Sequence, residues 1–178
     1  DHLGAGGAQR QLCLLGKLLC KSGHRVTLLR YHGADHFLEE AKDGGMRVLS
    51  LDPTSLLSRV RDLRKHLRDF DPELLIAFLR GPSFCAELAR IGVGNSTLIV
   101  SERNLYPQEG YLRSLLRLAF HLLADFVVCN SKGVEKELSS RLPLLQGKLR
   151  CIPNGVDFER FPPLPRRNGG REGHRFLT

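Results

Sequence analysis

The 178-residue sequence lacks the apolar run of about 18–20 residues that a membrane-spanning helix needs. Its longest candidate, residues 111–128, is interrupted by polar and charged side chains at helical spacing, which predicts an amphipathic helix followed by a strand. The amino-terminal residues also lack the charged and apolar regions of a signal peptide. With 42% hydrophobic and 26% charged residues, the composition excludes disordered, collagen-like and coiled-coil proteins and predicts a soluble globular domain.

The sequence has no C-x-x-C pair, which removes the spacing typical of zinc and redox sites. Its cysteines are odd in number and mostly lie inside apolar runs, so we expect small buried hydrophobes in a reduced, cytosolic protein. They are Cys13, Cys20, Cys85, Cys129 and Cys151. His32 and His36 are four residues apart but have no third ligand beside them, so no metal site is predicted.

Acidic residues are in deficit, with 19 Asp and Glu against 27 Lys and Arg and a net charge of +8. This excess favours an anionic partner, which is a nucleic acid, a phosphorylated ligand or an acidic membrane surface. No nucleic-acid motif or interleaved aromatic pattern is present, so we predict no nucleic-acid partner. The basic side chains of residues 53–70 predict a solvated helix face, with contact to an anionic membrane as the alternative.

Helical and strand patterns alternate along the chain. Strands are predicted at residues 25–29, 46–51, 74–79, 97–100, 126–129 and 149–152, and helices at 8–20, 35–42, 53–70, 82–91, 111–124 and 132–141. Continuous apolar runs such as 74–79 are typical of parallel strands covered on both faces. The alternation predicts an α/β fold, a Rossmann-like parallel sheet with helices on both faces, whose ligands bind beyond the carboxyl ends of the strands.

Four segments at those positions could carry chemistry. The glycine loop before the first helix contains Gly6 and Gly7 and continues to Arg10; it predicts either a tight turn or contact with an anion. Because Gln9 stands where a dinucleotide motif has its third glycine, a dinucleotide site is disfavoured. The other three segments are Arg80-Gly81-Pro82-Ser83, Ser101-Glu102-Arg103-Asn104 and Pro153-Asn154-Gly155-Val156-Asp157.

The Ser101–Asn104 segment is predicted to be a loop that binds a sugar or an anionic acceptor. An arginine offers a planar fork to phosphate or carboxylate, and Glu and Asn bind hydroxyls. Arg80 is predicted either at the carboxyl end of a strand, facing a ligand, or as a solvated surface charge. The Asn154-Gly155 pair marks a turn.

Taken in order, five motifs resemble the amino-terminal domain of retaining GT-B glycosyltransferases of family 4. They are Gly6-Gly7-Ala8-Gln9-Arg10, Ser22-Gly23-His24-Arg25-Val26-Thr27-Leu28, Val100-Ser101-Glu102-Arg103-Asn104, Ala124-Asp125-Phe126-Val127-Val128-Cys129-Asn130-Ser131 and Ile152-Pro153-Asn154-Gly155-Val156-Asp157. Members of that family often have Glu where this chain has Gln9, and many place a histidine where it has Ser101-Glu102-Arg103-Asn104.

The resemblance implies an acceptor-side domain over residues 1–160, a linker over 161–174 and the start of a truncated second domain over 175–178. It implies that Gly6, Gly7 and Arg10 approach the donor diphosphate. Acceptor contacts are expected from Arg80, Glu102, Arg103 and Asn104, and Asn154, Gly155 and Asp157 form a structural motif at the cleft. The catalytic residue stays open, with Glu102 and Arg103 as candidates.

The implied activity is transfer of a sugar from a nucleotide-sugar to a lipid-linked or polysaccharide acceptor in bacterial surface glycan synthesis. The family generally needs no metal, so no cofactor is expected beyond the nucleotide-sugar, which the second domain binds. We expect a cytoplasmic location with peripheral contact to an anionic inner membrane face, and no transfer by these 178 residues alone. The alternatives are a stand-alone sugar-phosphate or nucleotide binding module and an epimerase of the same architecture.

Overall fold

The computed structural model describes residues 3–33, 35–51, 54–93, 95–103, 110–158 and 162. Within these residues helices and strands alternate strictly, starting with a helix. The helices are α1 (Gly7–Lys21), α2 (Leu38–Asp43), α3 (Leu56–Phe70), α4 (Arg80–Arg90), α5 (Tyr111–Phe120) and α6 (Lys132–Arg141). The strands are β1 (Thr27–Arg30), β2 (Arg47–Ser50), β3 (Leu74–Phe78), β4 (Thr97–Glu102), β5 (Phe126–Cys129) and β6 (Leu149–Cys151). Short 3-10 turns, His121–Leu123 and Pro143–Leu145, precede β5 and β6.

Every strand pairing in the described part of the chain is parallel. β1 pairs with β2, and β3, β4, β5 and β6 form a four-stranded sheet in that order. Because parallel neighbours are joined by right-handed crossovers, α4, α5 and α6 lie on the same face of the four-stranded sheet. The predicted α/β class, with parallel strands flanked by helices, is confirmed.

The main core lies between the four-stranded sheet and these helices. Ala77, Val100, Val127 and Leu149 form one row across the four strands, and none of them is more than 5% exposed. Successive side chains of a strand point to opposite faces of the sheet. The neighbouring residue Phe126 accordingly lies on the other face, where it is 36% exposed. The helix-covered face is therefore the better buried of the two.

A second, smaller core joins α1, α2 and the two-stranded sheet. Its buried members are Leu3, Cys13, Leu28, Phe37, Ala41 and Met46. Gly16 of α1 lies against Met46, since a Cβ atom there would come 2.2 Å from the Met46 sulfur and force that side chain to move. The absence of a side chain lets α1 approach the start of β2 closely.

The cysteines match the prediction of small hydrophobes at three of five positions. Cys13, Cys85 and Cys129 are buried, while Cys20 and Cys151 are partly exposed. Burial raises the pKa of Cys13 to about 11 and that of Cys129 to about 12. Both thiols therefore stay protonated near neutral pH and pack as apolar groups.

The start of α3 differs from the prediction, which began this helix at residue 53. The helix begins at Leu56, and Ser55 is its N-cap. The Ser55 hydroxyl accepts a bond from the backbone N–H of Ser58 at 3.1 Å, and the Ser58 hydroxyl accepts one from the N–H of Ser55 at 3.0 Å. This reciprocal pair satisfies two backbone donors that the helix leaves free, and so fixes its first turn.

Candidate functional site

The carboxyl ends of β3 to β6 lie along one edge of the four-stranded sheet because all of these strands are parallel. The name carboxyl edge is used here for the last residues of these strands and the segments that follow them. It also includes the first turns of α1, which hydrogen bonds join to the segment after β6. In open parallel sheets, ligands bind at this edge. The side chains assembled here are Gln11, Phe78, Arg103, Asn130 and Asn154.

Arg103 is the cation at the centre of the carboxyl edge. Its guanidinium lies over the ring of Phe78, 5.1 Å from the ring centre, and it donates hydrogen bonds to the side chains of Asn154 and Ser101. The Asn130 amide donates to the backbone carbonyl of Arg103 at 3.3 Å. Burial lowers the pKa of Arg103 from its usual value, but an arginine remains charged in proteins. The edge therefore presents an oriented positive charge.

Gln11 of α1 joins the glycine loop to the segment after β6. Its amide nitrogen donates to the carbonyl of Gly155 at 2.9 Å, and its amide oxygen accepts from the N–H of Gly155 at 2.8 Å. One side chain thus satisfies both backbone polar groups of a residue 144 positions away in the chain. This clamp brings the predicted Gly6, Gly7 and Arg10 region to the same edge as Asn154.

The two glycines of the first loop have different surroundings. A Cβ atom on Gly6 would lie 2.2 Å from the side-chain oxygen of Gln9, whereas one on Gly7 would meet nothing within 4 Å. Gly6 is the N-cap of α1 and supplies no side-chain cap to the amides that follow. Gly6 therefore accommodates Gln9, and the space at Gly7 is open to a ligand. Arg10, in the first turn of α1, is exposed.

Arg80 lies one residue beyond the end of β3, near its predicted place, but the predicted loop is wrong because Arg80 to Ser83 form the first turn of α4. A single residue, Leu79, makes the turn, with φ of 72° and ψ of 159°. This is a conformation that only glycine adopts readily, and such strain is commonest at functional sites. Pro82 fits the first turn because its missing N–H would be unpaired there anyway.

Glu102 is the last residue of β4 and not part of a loop, which corrects the predicted boundary of that strand. It lies on the opposite face from Arg103, where its side chain is 2% exposed. One of its oxygens accepts from Arg117 of α5 at 2.9 Å and lies 3.2 Å from Nε2 of His121. Burial among these groups argues against the predicted contact between Glu102 and an acceptor, and leaves Arg103 as the member of the pair that faces the edge.

The remaining predicted residues fall in different places. Asn154 and Gly155 belong to the carboxyl edge, and Asp157 is partly exposed two residues beyond Gly155. Asn104, the predicted linker apart from residue 162, and residues 175–178 lie outside the described part of the chain. Gln11, Phe78 and Asn130 were not predicted. Asn130 is a polar residue directly after a buried strand. The same position after a strand led to the prediction for Arg80, so this signal could also have identified Asn130.

The chemistry of the carboxyl edge is that of a site for anions and hydroxyl groups. Arginine side chains bind phosphate or carboxylate, and the amides of Gln and Asn both donate to and accept from hydroxyls. Across the described residues, no group of three His, Cys, Asp or Glu side chains is arranged to hold a metal ion. None of the helices in that part of the chain combines the length and hydropathy of a membrane span.

Two known proteins are similar to this chain, one in sequence and one in structure. An N-acetylgalactosaminyltransferase of Campylobacter jejuni, named for its action on a GalNAc-containing glycan linked to undecaprenyl diphosphate, is 30% identical over 119 residues. These residues are 62% of this chain and 32% of that protein. The structure of Anabaena HepE in complex with UDP and glucose superposes with a TM-score of 0.70 at 15% identity, covering 89% of this chain and 44% of that one. The chain therefore spans about a third of the curated relative and less than half of the solved structure.

A family model extends over most of the chain. Residues 5–160 match the model described as Glycosyltransferase Family 4. The matched range contains every described helix and strand, from α1 to β6. The chain belongs to glycosyltransferase family 4.

Proposed function

We propose that this chain is the acceptor-side domain of a retaining glycosyltransferase that moves a sugar from a nucleotide-sugar to a lipid-linked or polysaccharide acceptor in bacterial surface glycan synthesis. Membership of the family supports the reaction class. The name of the Campylobacter relative supports a polyprenyl-diphosphate-linked acceptor. The observation that carries the proposal is Arg103, a cation held by Phe78 and Asn154 at the edge where ligands of parallel sheets bind.

In the proposed reaction, Arg103 binds an anionic or hydroxyl group of the acceptor and Arg80 assists from the neighbouring strand end. Gly7 and Arg10 approach the donor diphosphate from the first turn of α1. The bond from the sugar's anomeric carbon to the diphosphate breaks, and the acceptor oxygen bonds to that carbon on the same face. The acceptor hydroxyl's proton passes to the leaving phosphate oxygen. A domain not included in these 178 residues binds the nucleotide, so we expect no transfer by this chain alone.

Acceptor binding tests this proposal without requiring turnover. We expect a polyprenyl diphosphate carrying one N-acetylgalactosamine to shift backbone NMR signals of Arg103, Asn154 and Gly155 in the labelled 178-residue chain. Arg103→Ala should weaken binding roughly tenfold, as expected for loss of a hydrogen bond to a charged group.

Arg150→Ala is the matched control for Arg103→Ala. Arg150 also lies over an aromatic ring, 5.3 Å from the centre of Phe126, but that ring is at the opposite end of β5. Equal losses from the two variants would contradict an acceptor site at the carboxyl edge. Binding of the nucleotide-sugar with no binding of the acceptor would favour the alternative of a stand-alone nucleotide-binding module.

We also propose peripheral contact with an anionic membrane through α3. Arg61, Lys65 and Arg68 are exposed at helical spacing, beside an open groove of about 480 Å³ that Leu57 also lines. Arg64, on the same helix, instead donates to the carbonyls at the end of α4. Basic residues around an exposed leucine are suited to a lipid surface, where charge attracts and the apolar side chain inserts.

Sedimentation with vesicles containing one-third phosphatidylglycerol tests this contact. Changing Arg61, Lys65 and Arg68 to glutamine should reduce binding far more than the same change at three exposed residues outside α3, which removes the same charge. These control residues are Arg25, Lys42 and Lys132. Binding should also fall as salt rises, because surface electrostatics are screened. Binding that is insensitive to salt, or equally reduced in both triple variants, would contradict docking through α3.

A further inference from the structure

Four ionisable side chains meet behind the carboxyl edge, on the helix-covered side of the four-stranded sheet. We call them the buried charge cluster: Glu87 of α4, Glu102 of β4, Arg117 of α5 and His121 of the following 3-10 turn. Glu87, Glu102 and His121 are no more than 2% exposed, and Arg117 is 13% exposed. The cluster thus connects α4, β4, α5 and the 3-10 turn.

His121 is the central member because both of its ring nitrogens face carboxylate oxygens. Nδ1 lies 2.5 Å from Glu87, and Nε2 lies 3.2 Å from Glu102. A neutral imidazole has one donor and one acceptor nitrogen, so only the protonated ring donates to both carboxylates. With Arg117 also charged, two positive groups then balance two carboxylates, as burial of charge requires.

The ionisable groups around His121 come from the helices and strands that pack against it. Glu87 and Glu102 are its direct partners, and Arg117 reaches Glu102 from α5. Burial disfavours the charged ring, but the hydrogen bonds to Glu102 and Glu87 outweigh this and raise the pKa of His121 to about 9. On β5, Cys129 lies beside Glu102 and stays protonated, because burial raises the pKa of its thiol to about 12. Burial also raises the pKa of the Glu87 carboxyl, and its contacts with His121 and Arg117 oppose that rise.

The cluster adjoins Arg103 through the backbone. Glu102 ends β4 in register with Cys129, and Arg103 is the next residue. Because side chains alternate across a strand, whatever fixes Glu102 on one face also fixes the direction of Arg103 on the other. We propose that Glu87, Arg117 and His121 are positioning residues that act through Glu102 to hold Arg103 over Phe78 at the carboxyl edge.

The inference rests on the proposed function only for the identity of the ligand that Arg103 binds. Its main test therefore measures the surroundings of the Arg103 side chain directly. In the nitrogen-labelled 178-residue chain, the Nε–Hε signal of Arg103 should be displaced by the ring current of Phe78. In His121→Gln we expect that signal to move toward the position of an unstructured arginine. Glu102→Gln keeps the shape of the side chain but removes its charge, so it should move the signal less. This variant provides the test if His121→Gln does not fold.

Leu118→Ala is the control for general loss of stability. Leu118 is a fully buried apolar residue of the same helix as Arg117, and its truncation weakens packing without removing charge. It should leave the Arg103 signal in place. An unmoved signal in folded His121→Gln or, where that variant does not fold, in Glu102→Gln would overturn the inference, as would an equal movement in Leu118→Ala.

Binding of the polyprenyl diphosphate provides the second readout. His121→Gln should weaken binding about as much as Arg103→Ala, roughly tenfold, and the double variant should be no weaker than either single one. Additive losses would overturn the inference by showing that His121 acts separately from Arg103. If Arg103→Ala leaves binding unchanged, the proposed acceptor site fails, and the Arg103 signal still decides whether the cluster positions it.

Discussion

The two sides of the end of β4 use charged residues in opposite ways. Glu102 points to the helix-covered side, where each charge has a counter-charge within 3.2 Å. Arg103 points to the carboxyl edge, where its named partners are neutral: an aromatic ring, a hydroxyl and an amide. The last residue of β4 and the residue that follows it thus divide between a neutralised interior and a cation that is available to an anionic ligand.

This difference follows from the cost of removing a charge from water. A buried ion costs several kcal/mol, which is offset only by close partners of opposite charge. An ion at an edge keeps part of its hydration, and its contacts contribute little to stability. Stability should therefore depend on the buried charge cluster, and ligand binding on Arg103.

The largest expected effect is on the buried side. His121→Leu leaves the carboxylates of Glu87 and Glu102 without the imidazolium between them, and we expect it to lower the free energy of unfolding by about 3–5 kcal/mol. Arg103→Ala, its counterpart on the edge, should cost about 1 kcal/mol or less. Urea denaturation followed by circular dichroism measures both. Similar losses from the two variants would remove the distinction between the two sides.

The second-largest expected effect is on how the free energy of unfolding changes with pH. Hydrogen bonds to Glu102 and Glu87 hold the pKa of His121 at about 9, above its ordinary value of 6.5. A raised pKa stabilises the fold fully below pH 6.5, and this stabilisation is lost as pH rises through 9. Burial also raises the pKa of Glu87, so its ionisation acts in the same direction.

Urea denaturation at pH values from 6 to 10 tests this pH dependence of stability, with the midpoint of unfolding as the measured quantity. The difference in stability between the unmodified chain and His121→Gln should shrink as pH rises, because the variant lacks the titrating ring. Arg103→Ala should follow the pH dependence of the unmodified chain. A constant difference between the chain and His121→Gln across this range would show that folding does not raise the pKa of His121.

The sequence was sufficient for the order of helices and strands because buried parallel strands appear as continuous apolar runs. Phe126–Cys129 and Lys132–Arg141 were predicted with the boundaries that the structure has. The resemblance also led to Arg103 and Asn154, which do meet at the carboxyl edge. Local patterns thus define elements and the edge at which their ends lie.

The buried charge cluster was not predictable in the same way. Ser101 and Glu102 were assigned to a loop because they are polar, yet β4 continues through both, since Glu102 finds its partners on α5 and the next turn. His121 is 19 residues from Glu102, and no spacing rule connects them. Gln11 and Gly155 are 144 residues apart. Pairings of this kind depend on how whole elements pack, which a local pattern does not contain.

The smallest expected effect is on the edge itself, at the clamp between Gln11 and Gly155. Gln11→Ala removes both hydrogen bonds to the backbone of the exposed residue Gly155, and we expect a loss of about 1 kcal/mol or less in the free energy of unfolding. Hydrogen exchange should become faster at the Gly155 amide but not at the amide of Glu102, because the opening is local. Gln11→Glu keeps the acceptor for the Gly155 N–H and loses the donor to its carbonyl, so its effect on the Gly155 amide should be smaller. Faster exchange at Glu102 in either variant would show that the edge and the buried charge cluster open together, and the two sides of β4 would then be one cooperative unit.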